Sequence, residues 1–202
     1  TVSLASIYAL RMLGLFMILP VMSLFTEQMP GSTPALVGLT MGIYGLTQAV
    51  LQIPFGLLSD KFKRKTIIII GLILFVIGSV VAALAQDIYQ VLIGRALQGC
   101  GAISAAVMAL LADLTQEVHR TKAMATIGAS IGVSFGVAIT LGPIIADHFG
   151  ISGIFWMIAI LAALAILVMQ FIVPNPEKIL VHREAEYIPS QFRSVISNPD
   201  LL

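Results

Sequence analysis

Two arginines in this sequence, Arg11 and Arg95, stand inside apolar runs long enough to cross a bilayer. A guanidinium at mid-bilayer costs about 2.5–3.5 kcal/mol on insertion scales, so each needs acceptors or water. Arg95 lies in LIGRALQGCGA, where Gln98, Gly99 and Gly101 make its surroundings small and polar. It either snorkels to the outer surface about two turns away or occupies a water-filled cavity. Arg11 has no acid near it in sequence, and snorkelling and cavity lining are both open to it. Tyr44, Gln48 and Gln52 recur every four residues and form a polar stripe, which faces either a cavity or a hydrogen-bonded neighbouring helix.

A second group of charges lies in GLLSDKFKRK, residues 56–65, where one acid, Asp60, meets four bases, Lys61, Lys63, Arg64 and Lys65. A basic anchor at a membrane surface requires no acid. Asp60 and Arg64 can pair at spacing four if the helix continues, and Gly56, one turn earlier, leaves a flat patch for close approach of another helix. Asp113 follows Arg95 by five whole helical turns, on the same face and about 27 Å away. The two cannot touch, and Asp113 is expected level with the loop that carries Arg64.

The elements that position these groups are membrane spans. With 58% hydrophobic and 10% charged residues and a mean hydropathy of +1.02, the 202-residue chain is not an ordinary soluble domain. A hydrocarbon core of about 30 Å takes roughly 20 apolar residues. Six stretches qualify: Val2 to Phe25, Pro34 to Ser59, Thr66 to Ala85, a fourth from after Asp87 to Leu114, Ala123 to Ala146, and Ile151 to Val173. Each is apolar nearly all round, as a span is and a surface helix is not.

The expected fold is therefore all-α, with six transmembrane helices over 1–173. A cytoplasmic connector over 174–192 begins at Pro174 and Pro176, and 193–202 reads as the start of a further segment. In the fifth span Gly128, Gly132 and Gly136 repeat every four residues before Gly142 and Pro143 interrupt the backbone ladder, which suits either a packing groove or a hinge. Pro54 before Asp60 and Pro143 before Asp147, with Arg11 and Arg95 near the starts of the first and fourth spans, are the pattern of a three-plus-three inverted repeat.

Topology follows from the bases. Nine of the eleven lie in alternate turns: Lys61 to Lys65, Arg120 and Lys122, and the tail with Lys178, Arg183 and Arg193. The turns around Glu27, Asp87 and Asp147 hold none, which places both ends of the segment in the cytoplasm. The single cysteine, Cys100, allows no disulfide framework. His119, His148 and His182 are scattered, and no nucleophile–base set, phosphate loop or basic aromatic surface is present in the sequence. Neither an enzyme nor a nucleic-acid binder is expected, and no cofactor or metal.

These residues resemble the N-terminal half of a major facilitator superfamily transporter. Gly56, Leu58, Asp60, Lys61, Arg64 and Lys65 match the family's signature between the second and third helices, and Arg95, Gln98, Gly99 and Gly101 its fourth-helix signature. RMLGLFMILPV, GIYGLTQAVLQIPFGLLSD, GRALQGCGAISAAVMALLADLT and FWMIAIL are similar to the bacterial YajR-type proton-driven efflux transporters. The resemblance implies two six-helix bundles and alternating access, with a second bundle and protons as partners of the chain and membrane lipid around it.

It also implies a bacterial inner-membrane location and export of a small organic compound or drug in exchange for protons. Asp60, Arg64 and Asp113 would then hold the outward-facing state against the opposite bundle, and Arg95 would couple protons. Gly142 and Pro143 would be an antiporter-like signature, and Arg11, Tyr44, Gln48 and Gln98 would line the cavity. The family's loop usually has glycine where this chain has Lys63, so either the turn differs or Lys63 takes a conformation disfavoured for a residue with a side chain. Around the Gly-Pro pair, Ala138, Ala146 and Asp147 stand where further glycines are usual. Symport or uniport by the same fold, and a non-transporting membrane scaffold, are the alternative readings.

Overall fold

The computed structural model describes residues 2–174, and among them all regular structure is helical. The expected start of a second half, all of the expected connector but Pro174, and with them Lys178, Arg183 and Arg193, lie outside the described residues. Seven helices build the six expected spans. They are α1 (Val2–Ile18), α2 (Met22–Thr26), α3 (Pro34–Lys61), α4 (Arg64–Ala83), α5 (Ile88–Cys100), α6 (Ser104–Asp113) and α7 (Glu117–Phe171).

The first span is not one helix. Pro20 has no N–H to give to Phe16, and the chain turns through Leu19 and Val21 before α2 resumes. The second span starts where Thr33 caps it, its Oγ1 accepting from Leu36 N at 3.3 Å with Pro34 in the first turn. Asp87 caps α5 in the same way, accepting from Gln90 N at 2.9 Å, while the Gln90 side chain accepts from Gln86 N at 2.9 Å. The fifth and sixth spans run together as α7. Its 55 residues would reach roughly 80 Å if straight, far beyond one bilayer, and Gly150 divides them at φ 67° and ψ −172°.

The fourth span corrects the expectation of a continuous helix. It stops at Cys100 and restarts at Ser104, with Gly101 at φ −74° and ψ 48° and Ile103 N bonded to Gly101 O at 2.9 Å. Glycine at 99 and 101 weakens the helix there, and Arg95 and Asp113 consequently lie on separate helices. The turn at Lys63 settles the other open point. Lys63 sits at φ −60° and ψ 116°, and among the described residues none other than glycine has a positive φ. The turn, and not the residue, has adjusted.

Packing forms two apolar clusters stacked along the spans. Leu4, Ile7, Ile68, Leu72, Ile103, Val107, Leu110 and Ile127 form one, and Met17, Ile18, Phe75, Val91, Ile154, Phe155 and Ile158 the other. In α1 the buried Leu4, Ala5, Ile7 and Tyr8, before Arg11, join the first cluster, and the buried Met17 and Ile18, after it, join the second. α3 is the least covered long helix, with Leu46, Val50, Ile53 and Leu57 all exposed. Losing the α5 cap, by Asp87→Ala, should lower stability by about 1 kcal/mol while Asp87→Ser retains most of it, as thermal unfolding in detergent would measure.

Candidate functional site

The two buried arginines belong to one circuit of side chains. Arg11 is only 1% exposed and Arg95 2%. Arg11 Nη2 donates to Tyr44 Oη at 3.2 Å, Gln48 Oε1 at 3.3 Å and the Gly101 carbonyl at 2.9 Å, and Nη1 donates to Ser104 Oγ at 3.2 Å. The Arg95 guanidinium lies 4.6 Å from the centre of the Tyr44 ring, close enough for cation–π attraction. Arg95 Nη1 donates to Gln98 Oε1 at 2.8 Å, Gln98 Nε2 to Ser79 Oγ at 2.8 Å, and the Ser79 hydroxyl to the Phe75 carbonyl at 2.6 Å. The Phe75 ring faces Arg11 at 5.4 Å and meets Tyr44 edge-on at 6.4 Å, which closes the circuit.

Four spans contribute to it: Arg11 from the first, Tyr44 and Gln48 from the second, Phe75 and Ser79 from the third, and Arg95, Gln98, Gly101 and Ser104 from the fourth. Tyr44 and Gln98 are buried with the arginines, and Gln48 alone of the expected cavity residues is half-buried. No ion pair reaches either arginine among the described residues. Neutral dipoles and aromatic faces stabilise both charges. Gly99 makes the approach possible, because a Cβ there would strike Thr47 Oγ1 and the Tyr44 carbonyl.

The second site lies at the rim. Arg64 Nε meets Asp113 Oδ2 at 2.7 Å and Arg64 Nη2 meets Asp60 Oδ1 at 3.2 Å, so one guanidinium joins the ends of α3, α4 and α6. The Asp60 side chain is 62% exposed against 13% for Arg64. Beside the pair a cleft of about 350 Å³ is lined by Arg64, Asp113, Thr115, Glu117 and Arg120. Arg64 Nη1, buried, has no hydrogen-bond partner among the described residues.

Other expected residues separate from this cluster. Lys65 turns away and donates to the carbonyls of Gln170 at 3.0 Å and Val173 at 2.8 Å, where a cation satisfies the C-terminal end of the sixth span. Lys61 makes no ion pair among the described residues. A Cβ added at Gly56 would meet only Ala105 Cβ among the described residues, at an ordinary 3.7 Å, so its flat patch stays open there. Gly142 packs directly on the Met17 carbonyl, and Pro143 follows it inside α7. Gly128, Gly132 and Gly136 face open space within the described residues, so their groove holds none of the helices seen here.

Sequence reasoning missed Phe75, Ser79, Ser104 and the Gly101 carbonyl. A serine within the apolar third span was a usable signal; a phenylalanine there reads as core, and a backbone carbonyl leaves no trace in the sequence.

Comparison with known proteins decides the family. The sequence matches the Major Facilitator Superfamily over residues 4–201. The chain belongs to this superfamily. It is 52% identical over all 202 residues to the inner membrane transport protein YajR of Escherichia coli, covering 44% of that protein. It is 47% identical over 178 residues, 88% of its length, to an uncharacterized transporter of Buchnera aphidicola, covering 46% of that one. The chain thus spans about half the length of the curated relatives it matches.

The crystal structure of the human organic anion transporter MFSD10 superposes with a TM-score of 0.74 at 18% identity, over 88% of this chain and 48% of the other, and shows the fold. The superfamily is one of membrane transporters and not of enzymes, and the six-span bundle is its N-terminal half. Its packing predicts that Gly99→Ala, which drives a methyl into Thr47 and the Tyr44 backbone, destabilises by about 1–3 kcal/mol, a loss that thermal unfolding of the full-length protein would register.

Proposed function

We propose that this chain is the N-terminal half of a secondary transporter that exports a small organic compound in exchange for protons by alternating access. The inner membrane of a bacterium is its proposed site, with both ends of the segment in the cytoplasm. Protons, the transported compound, membrane lipid and a C-terminal bundle are its partners. The observation that carries the reading is the shared pairing of Arg64 with Asp60 and Asp113.

Those contacts join three spans at the end that carries the basic turn, which the positive-inside rule assigns to the cytoplasm. An exposed pair at spacing four contributes only about 0.3–0.5 kcal/mol, so Asp60 adds little to this half by itself. Its exposure, the open patch at Gly56 and the unused Arg64 Nη1 support a role across the boundary between the two bundles. Asp60, Arg64 and Asp113 form the latch, and closure of the second bundle on them holds the outward-facing state. Lys61 lies beside it, and Lys65 supports it indirectly by tying the third span to the sixth. Protonation of either carboxylate removes one charge-assisted bond and releases the latch.

Arg95 carries the proton coupling in this reading, with Gly99 giving its span close access to the second. Arg11, Tyr44 and Gln98 are buried within this half and Gln48 is half-buried, so in this reading Gln48 is the one of the four that lines the cavity. Gly142 and Pro143 set the angle of the fifth span against the first. Exchange with protons, as opposed to symport, rests on the likeness of the first, second, fourth and sixth spans to YajR-type transporters.

The latch is testable without knowing the transported compound. In full-length protein with spin labels at the cytoplasmic ends of the two bundles, Asp60→Asn and Asp113→Asn should each shift the population toward the cytoplasm-open state. A coupling of 1–3 kcal/mol corresponds to a change of about 5- to 150-fold in that equilibrium. Distance distributions identical to those of the unsubstituted protein would remove the latch role.

A further inference from the structure

We infer that Arg11 is a positioning residue for Arg95, acting through the phenol of Tyr44; the inference rests on the proposed coupling role of Arg95. Arg95 makes one side-chain hydrogen bond among the described residues, Nη1 to Gln98, and its Nε has no partner there. One bond at one corner does not fix a planar guanidinium. The second restraint is the face of the Tyr44 ring, 4.6 Å from the guanidinium carbon.

The ring in turn has to be held. Tyr44 is buried, and its hydroxyl accepts from Arg11 Nη2 at 3.2 Å. Its remaining aromatic contact is the edge-on ring of Phe75, and Phe75 itself lies 5.4 Å beneath the Arg11 guanidinium. Arg11 thus grips Tyr44 at both ends of one path, at the hydroxyl directly and at the ring through Phe75. Arg11 is itself fixed by the Gly101 carbonyl, Ser104 and Gln48. No carboxylate, lysine or histidine pairs with either arginine among the described residues, so no charge competes with this arrangement.

Two arginines that share no bond are coupled by one side chain, and the coupling has a direction. Arg11 has several anchors and Arg95 few, so a change at Arg11 displaces Arg95 more than the reverse.

The test reads Arg95 itself. Full-length protein labelled with nitrogen-15 arginine in lipid nanodiscs gives guanidinium signals, with Arg95 assigned by its loss in Arg95→Lys. Signals over an aromatic face are shifted upfield by the ring. Tyr44→Phe, which removes one oxygen and keeps the ring, and Arg11→Gln should each move the Arg95 signal downfield, and the double substitution should move it no further than the larger single one.

An Arg95 signal that stays in place in both Tyr44→Phe and Arg11→Gln but moves in Tyr44→Leu would overturn the inference, because the ring would then matter without Arg11 holding it. Proton-gradient-driven ethidium flux in vesicles separates the two levels. Intact flux in Arg95→Lys removes the coupling role and leaves the positioning result standing. Flux lost in Arg95→Lys but normal in Arg11→Gln, with the Arg95 signal unmoved, removes the positioning role alone.

Discussion

Two guanidiniums buried in one six-span bundle, with no carboxylate paired to either among the described residues, are the constraint on which the interior is arranged. Removing an ion from water costs several kcal/mol even after relaxation. The bundle offsets that loss with a tyrosine hydroxyl, two glutamine carbonyls, a serine and a backbone carbonyl, together with two aromatic faces. Dipoles spread over four spans make the charges tolerable only while those spans stay in register. The circuit is therefore a fastener as much as a candidate functional site.

The break in the fourth span belongs to the same arrangement. Unwinding at Gly101 to Ile103 frees a carbonyl that an unbroken helix would keep for its own ladder, and in a membrane a freed carbonyl must find a donor. Ile103 N supplies one within the turn and Arg11 Nη2 a second, each at 2.9 Å. The Arg11 to Gly101 bond thus serves both the buried cation and the unwound turn. In the first span, just before Pro20, the Met17 carbonyl lies against Gly142 with no side chain between them.

Much of this was legible in the sequence, for reasons that differ from residue to residue. Hydropathy alone located six spans, because a bilayer imposes a length that few soluble folds imitate. The Asp113 and Arg64 contact followed from helical rise, which brought Asp113 level with the basic turn; the break shifted its helix without changing that level. The break itself was hidden, since GCGAIS contains no proline and reads as a small-residue stretch of a continuous helix. Phe75 was hidden by its own apolarity, because a ring used as a cation-binding face has the same composition as a ring used as core. Lys65 stands next to Arg64 in sequence, whereas its side chain reaches the end of a helix more than a hundred residues away.

The charged sites also differ in how readily they can change partners. Asp60 at the rim is mostly in water, where exchanging one ionic partner for another costs little, and a conformational contact must be cheap to make and break. The interior circuit is the opposite case. Each of its donors and acceptors would be left unsatisfied in an apolar surround if the spans moved independently, at about 1–3 kcal/mol for each buried group. Arg11 holds both sides of the break, through Gly101 and through Ser104 at the start of α6. The angle between the helix carrying Arg95 and the helix carrying Asp113 therefore cannot change while all four of its hydrogen bonds are kept. The two sites share the fourth span, and that break is the place where movement at the rim meets the buried charge.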